Sequence, residues 1–157
     1  FADPLETYRA ELEDELREEP ERGEAVNDRI SRRFKDLVDR AAVSLALGEV
    51  DRAMVTAELA MSQAPDSRFG EKLIEVDRDT LTACFATYLG DTKRDVALAR
   101  QLEDVACLPV GARAAFLLSR IDGLVSIDDV IDMSGMGRLD ACRHLSQLLM
   151  LGILLRQ

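Results

Sequence analysis

Apolar residues recur every three or four positions along the first ninety residues of the chain. This spacing places them on one face of a helix and predicts four helices, over residues 4–19, 24–47, 50–64 and 67–89. Helix-breaking residues separate these segments and indicate where each helix ends. They are Pro20 with Gly23, Gly48, Pro65 and Gly90.

A fifth helix is predicted from Asp91 or Thr92, either of which can cap it, to about residue 108. Beyond Gly111, "GARAAFLLSRIDG", "VSIDDVIDMSG" and residues 138–151 predict three shorter helices. Ser126 and Asp129 have the spacing of a capping box at the start of the second of these. The final "ILLR" has the composition of a short strand. No earlier segment alternates with period two, so the sequence predicts an all-α fold.

The composition supports a helical core without large aromatic residues. Of the 157 residues, 47% are hydrophobic but only 4% are aromatic, and Trp is absent. No apolar run approaches the roughly 20 residues of a membrane-spanning helix, so membrane insertion is not expected. Three widely spaced cysteines among apolar neighbours are typical of a reducing compartment, which favours a cytoplasmic location. Because the chain begins at Phe1 rather than Met, we expect it to be part of a longer protein.

The net charge of -10 is concentrated at the start of the chain. The first thirty residues hold eleven acidic and four basic side chains. Because acidic surfaces repel phosphate backbones, nucleic acid is an unlikely main partner. The acidic face of the first helix has two interpretations: a solvated outer face, or a docking surface for a basic protein. The candidate residues on it are Glu13, Glu15, Glu18 and Glu19.

Residues 34–67 contain four small or helix-breaking residues at a characteristic spacing. Gly48, Ala53, Ala60 and Pro65 lie within "LALGEVDRAMVTAELAMSQAP". The two alanines are two turns apart on one face, so two helices can approach closely there. This segment resembles one tetratricopeptide repeat, which implies a helical hairpin. A generic antiparallel helix pair is the alternative.

The last third of the chain has the order helix, helix, turn, longer helix, strand. This order resembles the helix-turn-helix core of a winged-helix domain, whose third helix can read the major groove of DNA. The resemblance implies a DNA-binding alternative with Arg138, Arg143, His144 and Gln147 as contact residues. Asp140 lies between the two arginines and weakens that alternative.

The motifs "LSRIDG", "DMSGM" and "RLDACR" carry a second resemblance. The segment from about residue 114 onward resembles a C-terminal module of multidomain regulatory proteins of myxobacteria and related bacteria. This resemblance implies a regulatory or signalling context and no known catalytic activity.

Several kinds of chemical site have no signature in this sequence. His144 is the only histidine and has no nucleophile motif near it. The cysteines lack the C-x-x-C spacing of zinc sites, and no phosphate-binding glycine loop occurs. The sequence therefore predicts no enzyme activity, no metal and no cofactor.

Together these patterns predict two domains: tetratricopeptide-like helical hairpins over residues 1–108 packed with a winged-helix-like module over 109–157. The predicted function is that of a protein-binding adaptor or scaffold within a larger bacterial regulatory protein. Its expected contact surface combines the acidic first helix with Met133, Met136 and Arg138, because methionines near an exposed turn make adaptable contacts. The alternatives are a DNA-binding regulator and a homo-oligomerisation domain.

Overall fold

The structure, a computed structural model, describes residues 3–20, 23–98 and 110–156. These residues are mostly helical and contain one two-stranded sheet, so the predicted all-α class is confirmed. They form two compact units, one up to Cys84 and one from Phe85. The elements are α1 (Pro4–Glu18), α2 (Val26–Ala46), α3 (Val50–Gln63), α4 (Arg68–Val76), α5 (Arg78–Leu89), β1 (Val96–Leu98), α6 (Ala112–Ser119), α7 (Ile127–Ser134), α8 (Arg138–Met150) and β2 (Leu154–Arg156).

The first unit is organised around the hairpin of α2 and α3. Gly48 lies in the three-residue turn between them with φ of 79°, a left-handed conformation that glycine adopts without steric cost. Every residue from 53 to 61 of α3 is buried. Ala53 and Ala60 are both fully buried, as their predicted role in close helix approach requires. The predicted helical hairpin is therefore present.

The prediction of one continuous helix over 67–89 was wrong. The structure has two helices there, α4 and α5, with Asp77 between them at φ of -109° and ψ of 18°. The Asp77 carboxylate is 3.1 Å from Lys35 Nζ on α2. Because Lys35 is 42 residues away in sequence, this ion pair cannot be predicted from the local spacing of apolar residues.

The second unit begins within α5 and contains the sheet. β1 pairs antiparallel with β2, with Ala97 opposite Leu155. The predicted fifth helix from residue 91 was therefore wrong over residues 91–98, which form a turn followed by β1. Its remainder from residue 99 lies outside the described residues. The error has a physical reason: the backbone groups of β1 are satisfied by segments distant in sequence. One of these bonds runs from Val96 N to the Val125 carbonyl oxygen, at 3.2 Å.

Two local features of the second unit confirm the sequence analysis. Ser126 Oγ accepts a hydrogen bond from Asp129 N, and the Asp129 carboxylate accepts one from Ser126 N, which completes the predicted capping box. The predicted final strand is present as β2. The predicted domain boundary between residues 108 and 109 lies outside the described residues. The boundary between the two compact units falls between Cys84 and Phe85.

In the three described ranges, no helix has both the length and the apolar character that a membrane span requires.

Candidate functional site

Three of the four acidic residues predicted to form a docking surface on α1 bind arginines within the first unit. Glu13 pairs with Arg9 one turn away, and Glu15 Oε2 is 2.8 Å from Arg40 Nη1 on α2. Glu19, just past the end of α1, binds two arginines of α2. Glu18 is exposed. The acidic residues of α1 therefore attach this helix to α2 as well as facing solvent.

The strongest of these contacts is the cluster around Glu19. Its carboxylate accepts hydrogen bonds from Arg32 and from Arg33 Nε, the second at 2.6 Å. These bonds, from Arg32 first and Arg33 second, lower the pKa of Glu19 from its ordinary 4.5 to about 2. Arg33 also donates to the Leu16 carbonyl oxygen at 3.0 Å. The cluster joins the end of α1 to α2, which is a structural role.

A groove between α1 and α2 is lined by residues of both helices. It has a volume of about 390 Å³. Its apolar part consists of Leu12, Val43 and the ring of Tyr8. Glu11 and Asp39 lie along it, with Glu15 and Arg40. We call this surface the α1–α2 groove.

The ring of Tyr8 in this groove has a fixed position. Its hydroxyl lies 2.8 Å from Thr56 Oγ1 on α3, and the Arg52 guanidinium carbon lies 5.1 Å from the ring centroid. Thr56 Oγ1 in turn donates to the Arg52 carbonyl oxygen at 2.8 Å. Two contacts to α3 therefore hold one wall of the groove in place.

The remaining residues of the predicted protein-binding surface lie at the end of α7, in the following turn and at the start of α8. Met133 is 46% exposed, whereas Met136 is half-buried. Ser134 Oγ accepts a hydrogen bond from Met136 N, which orders the turn. Arg138 Nη2 is 3.3 Å from Asp128 Oδ1, so this arginine binds α7. Only part of the predicted methionine surface is therefore open to solvent.

The residues of the DNA-binding alternative lie on α8. Arg143, His144 and Gln147 are half-buried, and Arg138 is exposed. Acidic groups accompany this helix: Asp128 pairs with Arg138, and Asp140 Oδ2 is 3.7 Å from Arg113 Nη1. A face of such mixed charge attracts phosphates weakly.

An apolar cavity of about 340 Å³ lies within the second unit, and sequence reasoning missed it. Three segments build it, namely the stretch from the end of α5 through β1, the helices α7 and α8, and the strand β2. The cavity could not be predicted from local sequence patterns, because one wall is β1, a segment whose sequence predicts a helix. Its lining residues are Leu89, Gly90, Asp91, Arg94, Asp95, Val96, Ile127, Leu145, Leu149, Leu154 and Leu155.

The charged residues of this cavity lie where the chain reaches solvent. Asp91, Arg94 and Asp95 are all exposed, whereas Val96 and Leu145 are buried. The interior is consequently aliphatic, with charges at the mouth. Leu155 of β2 is 51% exposed even though it lines the cavity.

The thiols of two cysteines are buried. Burial raises the pKa of Cys84 to about 11 and also raises that of Cys142, so both remain protonated at neutral pH. Cys107 lies outside the described residues. Among the residues that the structure does describe, no three His, Cys, Asp or Glu side chains are grouped so that they could hold a metal ion.

Comparison of the chain with protein-family models, with curated proteins and with solved structures found no match. The apolar cavity and the α1–α2 groove are both concave, have apolar side chains in their walls, and fall in the size range of ligand-binding sites.

Proposed function

We propose that this chain is a non-catalytic protein-interaction module of a larger, cytoplasmic bacterial regulatory protein. The observation that carries the proposal is the apolar cavity of the second unit, with Leu155 exposed beside it. A concave aliphatic site of this kind favours an apolar side chain of a partner, because transfer of that side chain out of water is favourable.

The walls of the cavity are suited to binding an anchor residue. Leu145 of α8 and Leu154 of β2 are almost fully buried. Packing on both elements therefore holds these two side chains of the cavity wall in place. An apolar anchor in a preformed, dry pocket typically contributes most of the binding energy of an interface. Burial of the exposed part of Leu155 against the partner adds to that energy.

The sheet beside the cavity favours an extended segment as the source of this anchor. Within the described residues β2 pairs with β1 and with no further strand. An unpaired strand edge presents N–H and C=O groups to which another chain can add as a strand. The partner would then supply main-chain hydrogen bonds along β2 and a side chain in the cavity.

Two sequence features agree with a regulatory interaction module. The resemblance of "LSRIDG" and "DMSGM" to modules of myxobacterial regulatory proteins supports that context. Met133, which is 46% exposed near the end of α7, adds an adaptable apolar contact on the same unit. We propose no catalytic role, since His144 is half-buried on a helix and the buried thiols are protonated at neutral pH.

Substitution of Leu155 tests this function. Leu155→Asp places a charge at the cavity, whereas Leu124→Asp makes the same change at a residue of the same unit that is 82% exposed and does not line the cavity. Immobilised wild-type chain and both variants, each checked for folding by circular dichroism, are used to capture proteins from a native lysate, with and without nuclease. We expect one protein that wild type and Leu124→Asp recover under both conditions, and that Leu155→Asp recovers at least about tenfold less well.

Other outcomes identify the alternatives. If recovery disappears after nuclease treatment, the DNA-binding interpretation of Arg138, Arg143, His144 and Gln147 replaces this one. Light scattering after size-exclusion chromatography tests homo-oligomerisation. A dimer that Leu155→Asp dissociates would mean that a second copy of this chain occupies the cavity. Recovery that Leu155→Asp leaves unchanged would remove the cavity from the proposal.

A further inference from the structure

We propose that the α1–α2 groove binds a basic amphipathic helix of a partner protein. This inference concerns the first unit and a surface different from the apolar cavity. It therefore does not depend on the cavity being occupied, although it extends the same protein-binding function. Three properties of the groove lead to it: an apolar floor, an acidic rim and fixed walls.

The floor of the groove is apolar and partly exposed. Leu12 is 4% exposed at its base, and Val43 on α2 is 59% exposed. Leu47, which caps the end of α2 four positions after Val43, is 68% exposed and lies beyond the residues that line the groove. The side chains of Val43 and Leu47 thus remain in contact with water, and an apolar face of a partner would cover them. The volume of about 390 Å³ accommodates side chains rather than a whole domain.

The rim of the groove is acidic. Glu11, Glu15 and Asp39 line it, and Arg40 is the one cation among its lining residues. Arg40 is already engaged, because its guanidinium lies 2.8 Å from Glu15 and 3.7 Å from Asp36. Glu11 has no ion-pair partner within 4.0 Å in the described part of the chain. On α2, Asp39 Oδ1 is 3.6 Å from Lys35 Nζ, but the Asp39 side chain is 64% exposed. Cationic side chains of a partner would therefore find the unpaired carboxylate of Glu11 on α1 and the exposed carboxylate of Asp39 on α2.

The acidic rim and the apolar floor indicate which kind of partner fits the groove. An acidic rim repels nucleic acids and anionic lipid surfaces, which leaves a protein carrying Lys or Arg. An apolar floor between two helices suits a third helix with apolar residues three and four positions apart. A helix of this pattern places its apolar stripe on Leu12 and Val43 and its flanking cations beside Glu11 and Asp39.

The walls of the groove are already in place before binding. Tyr8 is held by Thr56 and Arg52 of α3, and Arg40 connects α1 to α2 through Glu15. Binding therefore orders few protein side chains, which lowers its entropic cost.

The probe for this proposal is a fluorescent amphipathic peptide of roughly 15 residues, long enough to form a helix, made of leucine and lysine. Two control peptides accompany it: one with glutamate in place of lysine, and one of the same composition in scrambled order. Affinity for the full chain is measured by fluorescence anisotropy at about 0.05 M and about 0.3 M salt.

Two pairs of variants localise the binding. Glu11→Lys changes the rim, and Asp66→Lys makes the same charge change at an exposed loop residue outside the groove. Val43→Ser changes the floor, and Val76→Ser makes the same change at a residue that is 80% exposed and also outside the groove. The lost side chains are exposed, so none of these variants removes core packing.

We expect the leucine–lysine peptide to bind more tightly than either control peptide and more weakly at the higher salt concentration. Glu11→Lys and Val43→Ser should each weaken it by about tenfold, whereas Asp66→Lys and Val76→Ser should leave it within about twofold. Absence of binding, equal binding of the scrambled peptide, or an equal loss in Asp66→Lys would overturn the proposal. Leu155→Asp should leave this binding unchanged, so failure here and failure of the cavity proposal are distinguishable.

Discussion

Gly70 lies so close to Pro65 that a Cβ atom at position 70 would stand 1.8 Å from the Pro65 carbonyl oxygen. The same oxygen accepts a hydrogen bond from Ser67 N at 2.9 Å, and Ser67 Oγ accepts one from Gly70 N at 3.3 Å. The turn after α3 is thus folded tightly against the first turn of α4. Only a residue without a side chain fits at position 70.

This relationship predicts that Gly70→Ala destabilises the protein. In an ordinary helix interior the change stabilises by about 1 kcal/mol, because alanine is the better helix former. Here the new methyl group meets backbone atoms that must move, so we expect a loss of about 1–3 kcal/mol in the free energy of unfolding. Urea denaturation followed by circular dichroism measures the difference.

The control for Gly70→Ala is Gly111→Ala. Gly111 has φ of -67°, and a Cβ there meets nothing within 4 Å, so alanine fits without a clash. Because Gly111 is the N-cap of α6, where alanine is less favourable than glycine, we expect a loss of at most about 1 kcal/mol. A stabilising effect of Gly70→Ala would show that the close contact with Pro65 does not exist in solution.

The Glu19 cluster predicts a specific pH dependence. The pKa of Glu19 is lowered from 4.5 to about 2 by the hydrogen bonds from Arg32 and Arg33. A carboxyl group whose pKa is lower in the folded than in the unfolded state stabilises the fold above the unfolded pKa, and this contribution disappears as the pH falls towards the folded value. Glu19→Gln should therefore be less stable than wild type at neutral pH. The difference should shrink between pH 4.5 and pH 2.

Titration of the Glu19 carboxyl carbon by NMR checks the cause directly. Arg33→Gln removes one of the two donors and should raise the pKa of Glu19 towards 4.5. Glu18→Gln, at an exposed residue next to Glu19, accounts for the general effect of removing one negative charge. If Glu18→Gln and Glu19→Gln show the same stability profile with pH, the cluster does not contribute as proposed.

The buried thiols predict slow alkylation. With a pKa of about 11 rather than 9.0, Cys84 has a hundredfold smaller thiolate fraction at neutral pH than an unperturbed thiol. Cys84 should therefore react with iodoacetamide at least on the order of a hundredfold more slowly in the folded chain than in urea. Cys142, whose pKa is also raised by burial, should likewise react more slowly in the folded chain. Peptide mass mapping separates the sites, and a Cys107→Ala variant removes the third thiol. Rapid modification of Cys84 or Cys142 in the native chain would contradict their burial.

Local features of the fold could be predicted from the sequence. The turn at Gly48 depends on a left-handed conformation that the residue type itself favours. The capping box of Ser126 and Asp129 depends on side chains only three residues apart. The bounds of α1, α2 and α3 follow from apolar periodicity and nearby helix breakers, and each lies within two residues of its predicted position.

The features that were missed depend on residues distant in sequence. Val96–Leu98 reads as helix, because alanine and leucine are good helix formers, but it becomes β1 by pairing with β2 some sixty residues later. Asp77 interrupts a helical pattern at a residue that binds Lys35 on α2. The acidic stripe of α1 could be found from sequence, yet its attachment to Arg32, Arg33 and Arg40 could not.

The sequence by itself determined the all-α class, the helical hairpin of α2 and α3, and the acidic character of the first helix. These follow from interactions between neighbouring residues, which a single segment encodes. Only the tertiary structure decided that β1 is a strand, that the apolar cavity exists, and that the α1–α2 groove combines Glu11 with Val43 and Asp39. The reason is that each of these is formed by groups from separate segments, and their free energy is gained only when the chain has brought those segments together.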